Sequence, residues 1–441
     1  MKFRGLIVAT AVLLVLAGVL YWSEHHKPKD TTASSTTTPA ILKIDPATVT
    51  NVTVKQKGAP PVTLARTGSD QWKITAPAAY PADSSTVSSM LSSLAPLNSD
   101  SVVEDKPSNL AEYGLSDPSL EVDLTGKDNR TDRLLFGDDA PTGGGVYVQL
   151  AGNPRVFTAG SFAKTSLNKS LGDLRDKRLL PIDSASISSI DLNRKSQNIT
   201  FARIQKGWQI EQPESYRTDN YQVDDLLSQL TGARWDPSVS AEDATRDFSH
   251  ATPVATVKLT GSSGTDTLEV RKEKDSYYAK SSAIPGSWKV DSTSASSLDA
   301  DLERSLDDFR NKQLFDFGYS NPEKIEYHSG NTSIVLAKAG NDWISNGKKM
   351  DSNSVEALIS ALRDFSASKF VTTGFTSPAI DVGITSGNGK RIEKVQIQKT
   401  SDGAIAKRDD GPSLYSLDST AITGLTDAIA GLKPAAPEKK K

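Results

Sequence analysis

The sequence contains no cysteine. That removes disulfides, thiolate nucleophiles and Cys-based zinc sites together. A chain of 441 residues can bury enough core without disulfides, so an exported location stays open. Histidine is nearly as scarce, at four residues. His25 and His26 adjoin in a polar stretch, and only His250 and His328 fall within patterned sequence. An excess of one charge is also missing: 51 Lys and Arg stand against 54 Asp and Glu. That balance gives no electrostatic case for nucleic acid. No cofactor is implied and no catalytic, cofactor-binding or metal-ligating set is assigned, because a hydrolase needs a nucleophile, carboxylate-pair or metal constellation.

Three marked segments are present instead. Trp72, Trp208 and Trp343 stand 136 and 135 residues apart. Trp72 is followed by Pro77, Tyr80 and Asp83, and Trp208 by Pro213, Tyr216 and Asp219, at the same offsets. The third copy is three residues shorter and reaches Asp351 at offset eight. After each Asp the apolar residues fall at helical spacing: Val87, Met90, Leu91 and Leu94; Val223, Leu226, Leu227 and Leu230; Val355, Leu358, Ile359 and Leu362. Each Asp reads as an N-cap, since its carboxylate can accept from the free N–H groups of the first turn. The Trp lies on a strand end, stopped in the first two copies by Pro77 and Pro213. Pro118, Pro253 and Pro378 form a second recurring marker, 135 and 125 residues apart, each ahead of an alternating strand. A period this long is a repeated domain.

The expected architecture is α+β. It has three tandem repeats, each a mostly antiparallel sheet with two packed helices, behind one N-terminal transmembrane helix. The helices are expected over 83–94 and 161–171, then from 219 and over 294–309, then over 351–365 and 418–432. Residues 1–24 read as the anchor, 25–40 as a flexible Ser/Thr-rich linker, and 41–182, 183–317 and 318–433 as the repeats. A polar tail covers 434–441. Gly5–Trp22 carries no charge, and its eighteen residues span about 27 Å as helix, close to a bilayer core of roughly 30 Å. No small-residue cleavage site follows Trp22, and Lys2 and Arg4 favour a cytoplasmic N-terminus. The bulk of the chain is then extracytoplasmic, periplasmic or at the cell surface.

Three polar features have competing readings. Gly137–Gly145 reads as a hairpin loop, because a phosphate-binding glycine run opens a helix and has a Lys nearby. Asp299, Asp301 and Glu303 read as a solvated helix face, since i and i+2 do not face each other. Arg175 and Arg310 stand 135 residues apart in Leu174–Leu180 and Phe309–Phe315, where the first two repeats end. The third has no such motif. The pair reads as a structural junction in which Arg pairs or caps, with an anion site as the functional alternative.

Trp72–Pro77, Tyr113–Pro118 and Leu174–Lys177, with their order and spacing, resemble a bacterial domain-of-unknown-function family, number 4340, of membrane-anchored repeat proteins. Members resemble proteins found beside gliding-motility-type ABC transporter subunits. That resemblance implies an extracytoplasmic accessory role, with ABC-type transporter subunits as partners, and it transfers no catalytic residue. The leading expectation is a non-enzymatic, membrane-tethered scaffold of a transport or envelope complex. An exported glycan- or peptide-binding module is the alternative, with a hydrolase third. Exposed tryptophans favour the binding module and buried ones the scaffold.

Overall fold

A computed structural model describes residues 39–141, 144–262, 264–318 and 322–437. The expected anchor and nearly all of the linker lie outside these residues, as does the end of the polar tail. Among the described residues no helix is long and apolar enough to cross a membrane. The chain divides into two compact units, one ending at Asp176 and the other starting at Lys177.

The fold is α+β with antiparallel sheets. The first sheet holds β2 (Val49–Gln56), β3 (Val62–Arg66), β4 (Trp72–Ala76), β5 (Tyr80–Pro81), β7 (Ser101–Glu104), β8 (Leu120–Gly126), β9 (Thr131–Asp139), β10 (Gly145–Leu150) and β11 (Val156–Gly160). Its strand order is β5-β4-β3-β2-β8-β9-β10-β11-β7, and a separate ribbon pairs β1 (Ala40–Leu42) with β6 (Leu97–Asn98). The second sheet holds β12 (Ile187–Arg194), β13 (Asn198–Ile204), β14 (Gly207–Gln212), β15 (Tyr216–Arg217), β16 (Thr252–Gly261), β17 (Gly264–Glu273), β18 (Ser276–Ser281) and β19 (Ser287–Lys289). Its order is β15-β14-β13-β12-β16-β17-β18-β19. The third holds β20 (Lys324–Ser329), β21 (Thr332–Ala339), β22 (Asp342–Ser345), β23 (Lys348–Lys349), β24 (Lys369–Val371), β25 (Ile380–Ser386), β26 (Arg391–Thr400), β27 (Gly403–Arg408) and β28 (Leu414–Asp418). It runs β23-β22-β21-β20-β25-β26-β27-β28-β24.

In all three the chain starts mid-sheet and winds to one edge. It then passes through a helix, restarts beside its first strand and winds towards the other edge. In the first and third sheets that edge is already marked by a short strand, β7 or β24, laid down between the helix and the restart. The apolar alternation sets this register. Val52 faces Leu124, Leu192 faces Val257, and Ile325 faces Ile384. A slip of one residue would turn each of these side chains out of the core.

The long helices lie on the inner faces. Asp83, Asp219 and Asp351 are their N-caps, accepting from the backbone N–H of Ser85 and Thr86, of Tyr221, and of Ser354. The second helices differ from expectation in the first two sheets. The first is cut into Ser161–Leu167 and Leu171–Leu174, the second into Ser292–Glu303 and Leu306–Phe309. Ser170 with Asp173, and Ser305 with Asp308, form capping boxes that start a new turn where one continuous helix was expected. A further helix, Ala241–His250, was not anticipated. It buries Ala244 and Phe248 against Tyr278 in a small cluster of their own.

Three other expectations change. Pro253 lies inside β16, beside Arg271 of β17, whereas pairing with β12 begins only at Ala255. The missing N–H of Pro253 is therefore on the side without a ladder. The expected glycine loop is shorter. Gly137 belongs to β9, where a Cβ would stand 1.9 Å from the Tyr113 carbonyl oxygen, and Gly145 begins β10. Asp301 is not on a solvated face. It is 3% exposed and ion-paired at 2.8 Å with Arg304, which also reaches Asp225 at 2.7 Å. Arg304 thereby ties two helices together. Asp299 is half-buried and accepts from Tyr277 and Lys272.

Candidate functional site at the Arg310 junction

Each sheet is entered in the same way. The chain ahead of it runs antiparallel to the stretch that follows its long helix. Ser99 N–H donates to Pro39 O at 3.1 Å, Trp235 N–H to Lys177 O at 2.9 Å, and Ala367 N–H to Lys312 O at 2.9 Å. The next amides, of Asp100, Asp236 and Ser368, donate to Thr158, Lys289 and Ser416 of the sheets. The two apolar residues that follow each clasp sink into the core: Ile41 and Leu42, Leu179 and Leu180, Leu314 and Phe315. Each is worth roughly 1.5–3 kcal/mol of burial.

Each sheet is also left in the same way. The backbone N–H of the capping Asp83, Asp219 and Asp351 donates to Leu174 O, Phe309 O and Lys433 O. The following residues, Arg175, Arg310 and Pro434, form isolated bridges to Ala82, Thr218 and Met350. The third sheet therefore has the backbone junction although it lacks the Arg motif. A sequence pattern of side chains could not reveal it.

Arg310 is the most enclosed of the three. It is 9% exposed, and its guanidinium lies between the rings of Tyr216, 4.1 Å away, and Phe370, 3.6 Å away. Its Nη1 donates to Asp307 at 2.8 Å and its Nη2 to the Ser413 hydroxyl at 2.7 Å, while its Nε is buried without a partner. It thus joins the end of the second sheet's region to the edge of the third. Arg175 lies 4.1 Å over Tyr80 in the first unit, and burial lowers its pKa. A planar cation between rings combines cation–π attraction with stacking that Lys would lose.

A second ionic group fixes the same segment from the other side. Arg408 and Glu393 face the core of the third sheet and pair at 3.1 Å. Arg408 also reaches Asp410 at 2.6 Å and donates to Leu314 O, and Glu393 accepts from Asp316 N–H at 3.0 Å. Burial opposes the Arg408 charge, but hydrogen bonding and the charges of Asp410 and Glu393 outweigh it and raise its pKa. Asp410 is held below the ordinary carboxylate range, first by its hydrogen bond from Arg408, with Arg217 adding positive charge. Arg217 itself donates to Gln313 O at 2.6 Å.

Arg310 borders two clefts, of about 550 Å³ with Arg304, Asp308 and Lys312, and about 450 Å³ with Glu214, Phe375 and Lys407. Its guanidinium is engaged by protein groups, which is the geometry of a junction. A separate polar cleft on the outer face of the third sheet is lined by Glu326, His328, Asp381 and Lys394. Among the described residues no group of three His, Asp or Glu is arranged to hold a metal ion.

The remaining sequence markers are structural in placement. Trp72, Trp208 and Trp343 are buried. Arg66 lies 4.5 Å over Trp72 and Arg203 4.3 Å over Trp208. Pro118 and Pro378 sit in loops just ahead of β8 and β25. What pattern reading missed was the partner of Arg310. The signal was there: Tyr80 with Arg175 and Tyr216 with Arg310 occur together, and Lys348 and Pro434 stand at the corresponding places of the third sheet.

A family profile described as "Domain of unknown function (DUF4340)" matches residues 72–233 and again 208–380. The chain belongs to this family. DUF4340 therefore spans the first sheet from its Trp strand, the second sheet entire and the third as far as β25. No curated protein matches the chain.

Proposed function

We propose that this DUF4340 protein is a membrane-tethered extracytoplasmic scaffold, an accessory component of an ABC-type transport or cell-envelope complex, built from three copies of one module. The observation that carries the reading is the burial of Trp72, Trp208, Trp235, Trp288 and Trp343. An aromatic ligand cleft repeated per module requires exposed rings, whereas packed rings belong to a framework. The shared strand order and the shared entry and exit of each sheet support three copies. Gly5–Trp22 supplies the tether, and a tether raises the local concentration of the modules for a membrane-embedded partner.

The test is complementation of a deletion strain with a chain lacking Met1–Trp22 and exported behind a cleavable signal. A folded but inactive product is the expected result. Full complementation by the untethered protein would remove the physical basis of the scaffold reading.

A further inference from the structure

We propose that the outer face of the third sheet holds a site for a small zwitterion of the amino-acid class. The ligand sits over Gly383, with its carboxylate on Lys394 and His328 and its ammonium on Asp409. The three sheets can be compared place by place. Val122, Val257 and Val382 follow Pro118, Pro253 and Pro378 at the same offset, and all three are buried. Side chains alternate along a strand, so the next residues, Asp123, Lys258 and Gly383, stand on the outer face at one place in each sheet.

In the first sheet that place is filled. Asp123 lies opposite Thr53 of β2 and Arg133 of β9, and Lys55 lies opposite Glu121, the next pair on that face. The Asp123 carboxylate accepts from Arg133 at 2.7 Å and from Lys55 at 2.8 Å. In the third sheet Gly383 lies opposite Glu326 of β20 and Lys394 of β26, and His328 lies opposite Asp381. Lys394 thus holds the place of Arg133, and His328 that of Lys55. Both nitrogen-bearing side chains are kept, while the carboxylate between them is not.

The space left is a cleft of about 320 Å³, lined also by Gln396 and Asp409. That is the small end of the range for ligand pockets. Two of its acids are engaged. Glu326 pairs with Lys324 at 2.6 Å, and Asp381 accepts from Gln396 at 3.1 Å. Lys394 and Asp409 are joined through the backbone, Asp409 N–H to Lys394 O at 3.2 Å. Among the described residues, however, neither of their charges has a side-chain partner, and the His328 ring has none. A free cation and a free carboxylate at one cleft call for a ligand with both charges. With Glu326 and Asp381 close by, a plain anion would meet excess negative charge, and a plain amine would leave Lys394 unanswered. An α-amino acid carries its carboxylate and its ammonium on one carbon and suits a cleft of this size.

Calorimetric titration of the full chain tests this with three probes of similar shape. L-alanine carries both charges, propionate only the carboxylate and ethylamine only the ammonium. L-alanine is expected to bind about tenfold more tightly than either of the others, the effect of one charge-assisted hydrogen bond. Gly383→Asp restores the carboxylate of the first sheet and is expected to abolish binding. The fold accepts it, because a Cβ at this position meets nothing closer than 3.6 Å. Lys394→Gln changes an exposed residue, so it is expected to weaken L-alanine about tenfold and leave the urea midpoint in place. Asp409→Asn is expected to bring L-alanine down to the level of propionate. No saturable binding of L-alanine, propionate or ethylamine binding as tightly, or L-alanine affinity unchanged by these substitutions would overturn the proposal.

Discussion

At the scale of single residues, the polar groups that matter most are those that close the backbone's loose ends. The three capping aspartates were legible because an N-cap is a local event, decided within four residues of sequence. Asp219→Ala is expected to cost about 1 kcal/mol. Trp208→Ala should cost about 3–5 kcal/mol, because it empties a core site and leaves Asp224 without the indole N–H that it accepts at 2.8 Å. Denaturant unfolding of the full chain separates the two. Arg408 and Glu393 were illegible for the opposite reason: they come together only when β26 pairs with β27. Asp410 beside Arg408 and Asp301 beside Arg304 give opposite pH signatures. Asp410 has its pKa lowered from 3.8, so its contribution is present above the unfolded value and is lost as pH falls through the folded one. Asp301 has its pKa raised from 3.8 by burial, so its stabilising contribution is fully present below the unfolded value and is lost as pH rises through the folded one. Relative to Asp410→Asn, the natural protein should lose stability on acidification. Relative to Asp301→Asn it should gain, and urea unfolding across the carboxylate range reads both.

At the scale of elements, periodicity located the long helices and the alternating strands because each repeats its own pattern. It could not find the two-residue strands β5, β15 and β23, which exist only by pairing with a neighbour. It also ran the second helices past Ser170 and Ser305, where a Ser-x-x-Asp box outweighs continued helical spacing. The Ala241–His250 helix was missed because its few apolar residues, Ala244 and Phe248, face a satellite cluster and not the main core. The entry segments are elements of this kind as well. Leu314 is fully buried in the third sheet's core although it precedes that sheet's first strand. Leu314→Ala should cost about 2–5 kcal/mol. Arg310→Lys should weaken the same junction while keeping its charge, because a Lys cannot lie flat between Tyr216 and Phe370. A lower urea midpoint for both variants, with Arg310→Lys the milder, is the expected result. An Arg310→Lys variant as stable as the natural chain would show that charge alone holds the junction.

At the scale of the whole molecule, the proposed tether makes a claim that can be read from the first residue. N-terminal sequencing of the protein from membranes should begin at Met1 or Lys2. A start beyond Ser23 would mean that the apolar segment is removed and the anchor does not exist. The α+β class and the antiparallel sheets were legible from strand alternation and capped helices together. The two compact units were not, since the 135-residue period treats every junction alike.

The exit from each sheet has a consequence for how the chain is made. Asp83 and the residue that accepts its backbone N–H, Leu174, are 91 positions apart, and Asp219 and Phe309 are 90 apart. A ribosome therefore releases the start of each long helix well before it releases the carbonyl that closes it. Until then that amide has only water. Each sheet matures only when synthesis has already begun the segment that enters the next, so the order of maturation follows the order of translation. A chain that stalls between Asp219 and Phe309 carries one finished sheet and one helix with an open end, and such an end is where a protease would first find purchase.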